Sequence, residues 1–458
     1  MKFSLCAFVL LGFVTFGLNH GFAQGQVSVK DYKSIQEAVD KNPGKMIEVP
    51  PGDYPISAPI EINTNNTGLC GYGRIIQSDP KSAIINVERA GNVQIRDLTL
   101  TRAEGKMEAE ANGFKANYCS DLLVQNVRVI NNRARVGAID VNRSHNVRVM
   151  NCSVENYMRI AIDDRTRGDD WGFAFNVIDG TGINVRESCG TLIQGNSVVE
   201  HNFIPTPELK EKYNLGKFCK MNAKKGVITH QDMWDTKYYN AWHQGAAIAI
   251  PQPETDNYVQ IIGNYIENAA QGLDIHADHV IVSQNIINNA FIGMKAMHGS
   301  RNVIIVGNQF SRNDLWAIGL MSGAASHAAG VPARPGGNLD ANIDGGSIIA
   351  NNIISDFGYG TAYWMWKDWK DMVRAPMRFD PGQKDFNPPL TDVVVQGNII
   401  YDTGRDKIME NGKPVVEPPR YTYSVFVSTD KGGPQGMHFS NNLFHPGTSG
   451  ISNIPLAP

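Results

Sequence analysis

Short runs of β-branched residues alternate with polar turns through most of this chain, and the pattern is cleanest between Gly245 and Ser322. That stretch reads GAAIAIPQPETDNYVQIIGNYIENAAQ, GLDIHADHVIVSQNIINNAF, GMKAMHGSRNVIIVGNQFSRNDLW and AIGLMS. Each unit has a strand opening on a small residue, a polar turn, a second strand and an asparagine. The asparagines fall at Asn264, Asn285 and Asn308, spaced 21 and 23 residues apart. The same signature returns at Asn126, Asn151, Asn196, Asn352, Asn398 and Asn442. A period of this size with no helical pattern predicts a stacked β-solenoid, in which coils bury one another's apolar edges. The asparagines are expected to satisfy turn backbone, stacked as a ladder.

Alternation within the strands assigns their faces. Ile139 and Val141, Ile160 and Ile162, and Ile183 and Val185 are expected inward; Asp140, Asp163, Asn184 and Arg186 are expected outward. Upstream, Tyr32 to Asp40 reads as an amphipathic helix, followed by a strand at Met46–Val49 and a turn over Pro50–Tyr54. The helix is placed to plug the open end of the solenoid. The pattern breaks at 203–245, 323–345 and 363–389. Loops this long are uncommon unless they carry function.

Composition changes the picture in three ways. The net charge of −3 exerts no strong pull on nucleic acid. Residues 1–23 read as a secretory signal, with Lys2, an apolar run from Leu5 to Leu18 and Gly21-Phe22-Ala23. That run is too short to favour a membrane span. A secreted or periplasmic protein is expected, with 24–458 forming one domain. Beyond the signal, Cys70, Cys119, Cys152, Cys189 and Cys219 are odd in number and do not make a complete disulfide framework. Cys119, Cys152 and Cys189 are expected as buried small hydrophobes.

The opening DYKSIQEAVDKNPGKMIEVPPGDYPISAPIEI, with the repeats after it, resembles the secreted right-handed parallel β-helix proteins of the pectin-lyase-like superfamily. The resemblance implies an all-β, single-stranded right-handed parallel β-helix with an N-terminal capping helix and long loop insertions. It also implies a carbohydrate-active enzyme whose partner is a polysaccharide or oligosaccharide lying along one face. No signal for a particular oligomer is evident.

Candidate chemistry falls on the outward positions. Aligned coil starts give one column of Ala249, Asp274, Lys295 and Gly319, and another of Asp140, Asp163, Arg186, Pro251, His276 and Met297. Rungs about 4.8 Å apart make Asp274 and Lys295 neighbours, with His276 and His298 beside them. A second candidate is RIAIDDRTRGDDWG, which offers Arg159, Asp163, Asp164 and Arg165. His243 and the aromatics Trp234, Trp242, Trp364 and Trp366 are expected to wall a sugar-binding groove, since rings pair apolar area with a polar edge.

Two reactions compete. A lyase would remove the proton beside a uronic carboxylate with Lys295 or His276, the charge being neutralised by Arg165, Arg159 or a Ca²⁺ held by Asp163 and Asp274. Polysaccharide lyases of this fold commonly use lysine or arginine bases and sometimes Ca²⁺, so the resemblance implies either Ca²⁺ or no cofactor here. An inverting hydrolase would need paired carboxyls such as Asp163 with Asp164, or Asp140 with Asp163. Of the polygalacturonase motifs the chain offers only Asp163-Asp164. Asp274-x-His276 is similar to part of the Asp-Pro-His-Asp motif of mannuronan epimerases, with Ile275 and Ala277 at the other two positions. A glycan-binding protein without catalysis would need only the aromatic walls.

Overall fold

A computed structural model describes residues 27–167, 172–221, 238–239, 242–332, 336–361, 373–382, 385–401, 408–415 and 417–458. Its coils stack as a parallel β-helix. A representative coil contributes Gly137–Asn142, His145–Met150 and Ser153–Glu155, one strand to each of three faces. Every strand pairs in parallel with its counterparts in neighbouring coils: Ile139, for example, lies opposite Phe114 on one side and Ile183 on the other. Among the described residues the third face is a twelve-stranded sheet. The first and second faces join into one larger sheet, because Ala246–Ile262 and Gln271–Ser283 run unbroken around the corner between them.

The inward alternation builds the core. On the first face Ile139, Val141, Ile183, Val185, Ile248, Ile250, Leu273, Ile275, Met294 and Ile318 stack with no exposed surface. Each such side chain contributes about 1.5–3 kcal/mol by leaving water. The corner between the second and third faces is set by two adjacent columns. Asp97, Asn126, Asn151, Gly195, Gly263, Gln284, Gly307, Asn351, Gly397 and Asn441 all adopt left-handed backbone, which Gly and Asn tolerate best. One residue later stands the asparagine ladder of Asn196, Asn264, Asn285, Asn308, Asn352, Asn398 and Asn442, in which each member from Asn264 onward accepts the previous member's backbone and side-chain N–H. Asn126 and Asn151 are therefore one position out of the ladder. Cys152 stands in its place, and its backbone N–H donates to Asn196 Oδ1 at 2.9 Å.

The N-terminal helix spans Ile35–Lys41, shorter than expected, because the Ser34 hydroxyl accepts the Glu37 N–H and ends it there. Val29–Asp31 forms a separate 3₁₀ turn. Ile35, Ala38 and Val39 face the core. The turn expected over Pro50–Tyr54 gives way at Gly52 to a strand, Gly52–Ile56, paired with Gly73–Gln77.

The larger departure is at Arg159–Asp164. This segment leaves the solenoid and pairs antiparallel with Phe173–Asp179, which pairs in turn with Phe218–Met221. Ile162, expected inward, is 51% exposed. The hairpin buries a cluster of its own: Phe173 meets Phe218 at 5.1 Å and Phe175 meets Tyr239 at 4.4 Å. That cluster supplies the apolar partner another coil would have provided. The insert at 203–245 adds a helix, Pro207–Tyr213. Cys70, Cys119 and Cys152 are buried, whereas Cys189 is exposed, since it precedes the corner at which its strand turns inward. Among the described residues no helix is long and apolar enough to cross a membrane. Residues 1–23 lie outside them.

Candidate functional site

The outward column on the first face runs Asp140, Asn184, Ala249, Asp274, Lys295, Gly319, Arg378. Asp140 thus belongs to this row and not with Arg186, which pairs with Asn142 one column over. In that second column Pro251 lies opposite His276. Asp140 is buried and accepts from Asn142 Nδ2 at 3.0 Å and Asn184 Nδ2 at 2.5 Å, which occupies it within the sheet.

Lys295, Asp274 and His276 meet. The Lys295 ammonium is 3.4 Å from Asp274 Oδ1, and His276 Nε2 is 2.9 Å from the same oxygen. Their side chains retain 17–19% of their surface, enough for a ligand to touch while bulk water is largely excluded. Burial opposes the charge on Asp274, but Lys295 and His276 outweigh it and hold the carboxyl well below its usual range.

His298 follows the strand Ile292–Ala296 and takes a left-handed backbone at φ +62°, which turns its ring over His276. The two rings meet edge to face, centroids 4.4 Å apart. The Ala325 N–H donates to His298 Nδ1 at 3.1 Å, so the ring proton resides on Nε2. Burial, with His276 and Lys295 nearby, lowers its pKa to about 4. His298 is therefore a neutral donor at ordinary pH.

A clasp behind His298 fixes that arrangement. Asp344, 1% exposed, accepts from Gly299 N at 3.0 Å, Ser300 N at 2.9 Å and Ser326 Oγ at 2.5 Å. Asn342 Nδ2 donates to the carbonyls of His298 and Ala325. Gly323 completes it: a Cβ there would lie 2.0 Å from His298 Nδ1. Gly323→Ala is expected to push the ring off its Ala325 bond and lower activity by about 10- to 100-fold with little change in melting temperature. Steady-state kinetics beside a melt would check this, and undiminished turnover would show the ring's position to be unimportant.

Burial pushes the Asp344 carboxyl from 3.8 up to about 7, against its hydrogen-bond donors. Between those values the folded chain holds a proton that the unfolded chain has lost, so this group's contribution to stability falls as pH rises from about 4 to about 7. Asp344→Asn should gain on the native protein in melting temperature across that window. A pH-independent difference would contradict the shift.

The other expected residues lie elsewhere. Asp163 stands on the side hairpin, 3.0 Å from Arg165 Nε. Asp164 points the other way and accepts from Thr166 N and Oγ1. The two carboxyls thus do not face one another as a hydrolytic pair. Arg159 binds the Ala109 carbonyl at 2.7 Å and approaches Glu108 at 3.3 Å. Nor do Asp163 and Asp274 fit a calcium site: each faces a cation, and no group of three or more His, Cys, Asp or Glu among the described residues is placed to hold a metal. Trp242 has no exposed surface and His243 only 3%, with burial lowering the His243 pKa to about 3. These two fasten the insert and do not wall a groove. Trp234, Trp364 and Trp366 lie outside the described residues.

Sequence reasoning missed Ala325, Asn342 and Asp344, which come from the aperiodic stretch before Gly345. It also missed Trp316, whose indole covers Gly319: a Cβ on that glycine would lie 2.5 Å from Trp316 Nε1. A lone glycine in a row of long side chains was the available signal.

With this geometry, the fold is a parallel β-helix, which solved structures share. The chain is similar to the A-module of the Azotobacter vinelandii mannuronan C-5 epimerase AlgE4, at 10% identity over 94% of this chain and 98% of that one, with a TM-score of 0.51. It is likewise similar to a hyperthermoactive exopolygalacturonase from Thermotoga maritima, at 12% identity over 82% and 87% of the two chains, with a TM-score of 0.51. No protein-family profile and no curated protein matches its sequence.

Proposed function

We propose that the protein is an extracytoplasmic polysaccharide-active enzyme that cleaves a uronate-containing glycan by β-elimination. The observation that carries this is the contact of Lys295 and His276 with one ionised carboxylate, Asp274, beside the neutral His298. Asp274 at Nε2 leaves His276 Nδ1 as the base. That nitrogen takes the proton from the carbon bearing the uronic carboxylate. The Lys295 ammonium and the His298 Nε2–H stabilise the charge that gathers on the carboxylate. The C–O bond to the linked sugar breaks, a C=C bond forms, and the imidazolium returns its proton to the departing oxygen. No metal is needed for this sequence of steps.

Epimerisation is the second reading, because it begins with the same proton abstraction. The Asp274-x-His276 pair and the similarity in fold to a mannuronan epimerase support it. The experiment is a screen of uronate and neutral polysaccharides, read by ultraviolet absorbance of unsaturated product, by reducing ends and by proton exchange with deuterated water. Unsaturated product on a uronate polymer supports elimination. Exchange without cleavage moves the assignment to epimerisation, and reducing ends without absorbance would overturn both.

A further inference from the structure

Beyond the reacting centre, the same row carries a feature that elimination does not use. Two rungs past Lys295, at about 4.8 Å each, stands Arg378. Its Nε is 2.7 Å from Asp380 Oδ2, and its Nη1 donates to the Val373 carbonyl. The guanidinium lies 5.5 Å from the Trp316 ring centre and 5.3 Å from that of Phe426. On the rung between, Trp316 occupies the space that Gly319 leaves open. Among the described residues its Nε1–H has no partner, although the atom is shielded from water. An unpaired buried donor is costly and calls for an explanation.

We infer that Trp316, Arg378 and Asp380 form a second sugar subsite, which accepts the hydroxyl-bearing face of a pyranose about a disaccharide's length from the one that reacts. The inference rests on the function proposed above and deepens it. An arginine already paired with an aspartate presents donors and an acceptor with little net charge. That pair suits adjacent hydroxyls better than a second carboxylate, which Asp380 would repel. The indole supplies an apolar surface for the ring and an N–H for one oxygen. Gly319 makes the platform possible, since any side chain there would displace the indole. The glycan then lies along the solenoid axis, from Asp274 toward Arg378, and productive binding needs more than a disaccharide.

The test is calorimetric binding of oligogalacturonates and oligoguluronates of two to six units to the full chain, alongside Trp316→Phe and Arg378→Met. Phenylalanine keeps a ring and deletes only the N–H; methionine keeps cover over the indole and deletes the donors. Native protein should bind tetramers more tightly than dimers. Each substitution should remove roughly five-fold of that gain and leave dimer affinity and the melting temperature unchanged. A gain with length that both variants retain would overturn the subsite while leaving the reacting centre standing. Equal weakening at every length would also overturn it, and no binding by any oligomer would overturn both readings.

Discussion

Replacing His276 with alanine is expected to lower turnover on a uronate polymer by about 10²–10⁴-fold, the range spanned by positioned proton transfer. The side chain lies on the outward row, so its loss opens no cavity in the core, and the melting temperature should hold. Asp274 would keep Lys295 as a partner at 3.4 Å, so no buried charge is stranded. Lys295→Met should behave differently. It removes the cation facing both Asp274 and the substrate carboxylate, so KM should rise as turnover falls. Rates read by unsaturated product, with melts beside them, distinguish the two roles. If His276→Ala kept more than a tenth of native turnover, the base would have to be sought in Lys295.

Asn285→Ala should destabilise the fold by about 3–5 kcal/mol, the upper range for a single substitution. Asn285 Oδ1 accepts the backbone and side-chain N–H of Asn264, and its Nδ2 donates to Asn308 Oδ1 and the Ile261 carbonyl, each at 2.9 Å. Alanine leaves those groups unpaired at a site with no exposed surface. The same change at Asn442, the partly exposed last member, should cost about 1 kcal/mol. Denaturant midpoints at unchanged slope give both values. A cost below about 1 kcal/mol at Asn285 would show that the ladder organises the corner without stabilising it.

Much of this was legible along the chain. The coil period, the inward aliphatic rows and the adjacency of Asp274 with Lys295 follow from two spacings, two residues within a strand and about 21–25 between coils; neighbouring rungs then fix each other's register. The ladder was legible too, though not its phase at Asn126 and Asn151. Adjacent Asn and Gly columns look alike in sequence, and only the backbone hand tells them apart. Tertiary structure alone decided three things. Arg159–Asp164 carries the same alternation as a coil strand, and what drew it into a hairpin was the aromatic cluster of Phe173, Phe175, Phe218 and Tyr239. Trp242 and His243 were assigned by composition to a groove wall, but an aromatic or imidazole ring is equally suited to a core, and burial chose the core. The setting of His298 depends on Ala325, Asn342 and Asp344, which lie in a stretch without periodicity and reach the ring only when the loop folds back over the strand end. Spacing determines which residues share a row; contacts made by irregular chain have no spacing to read.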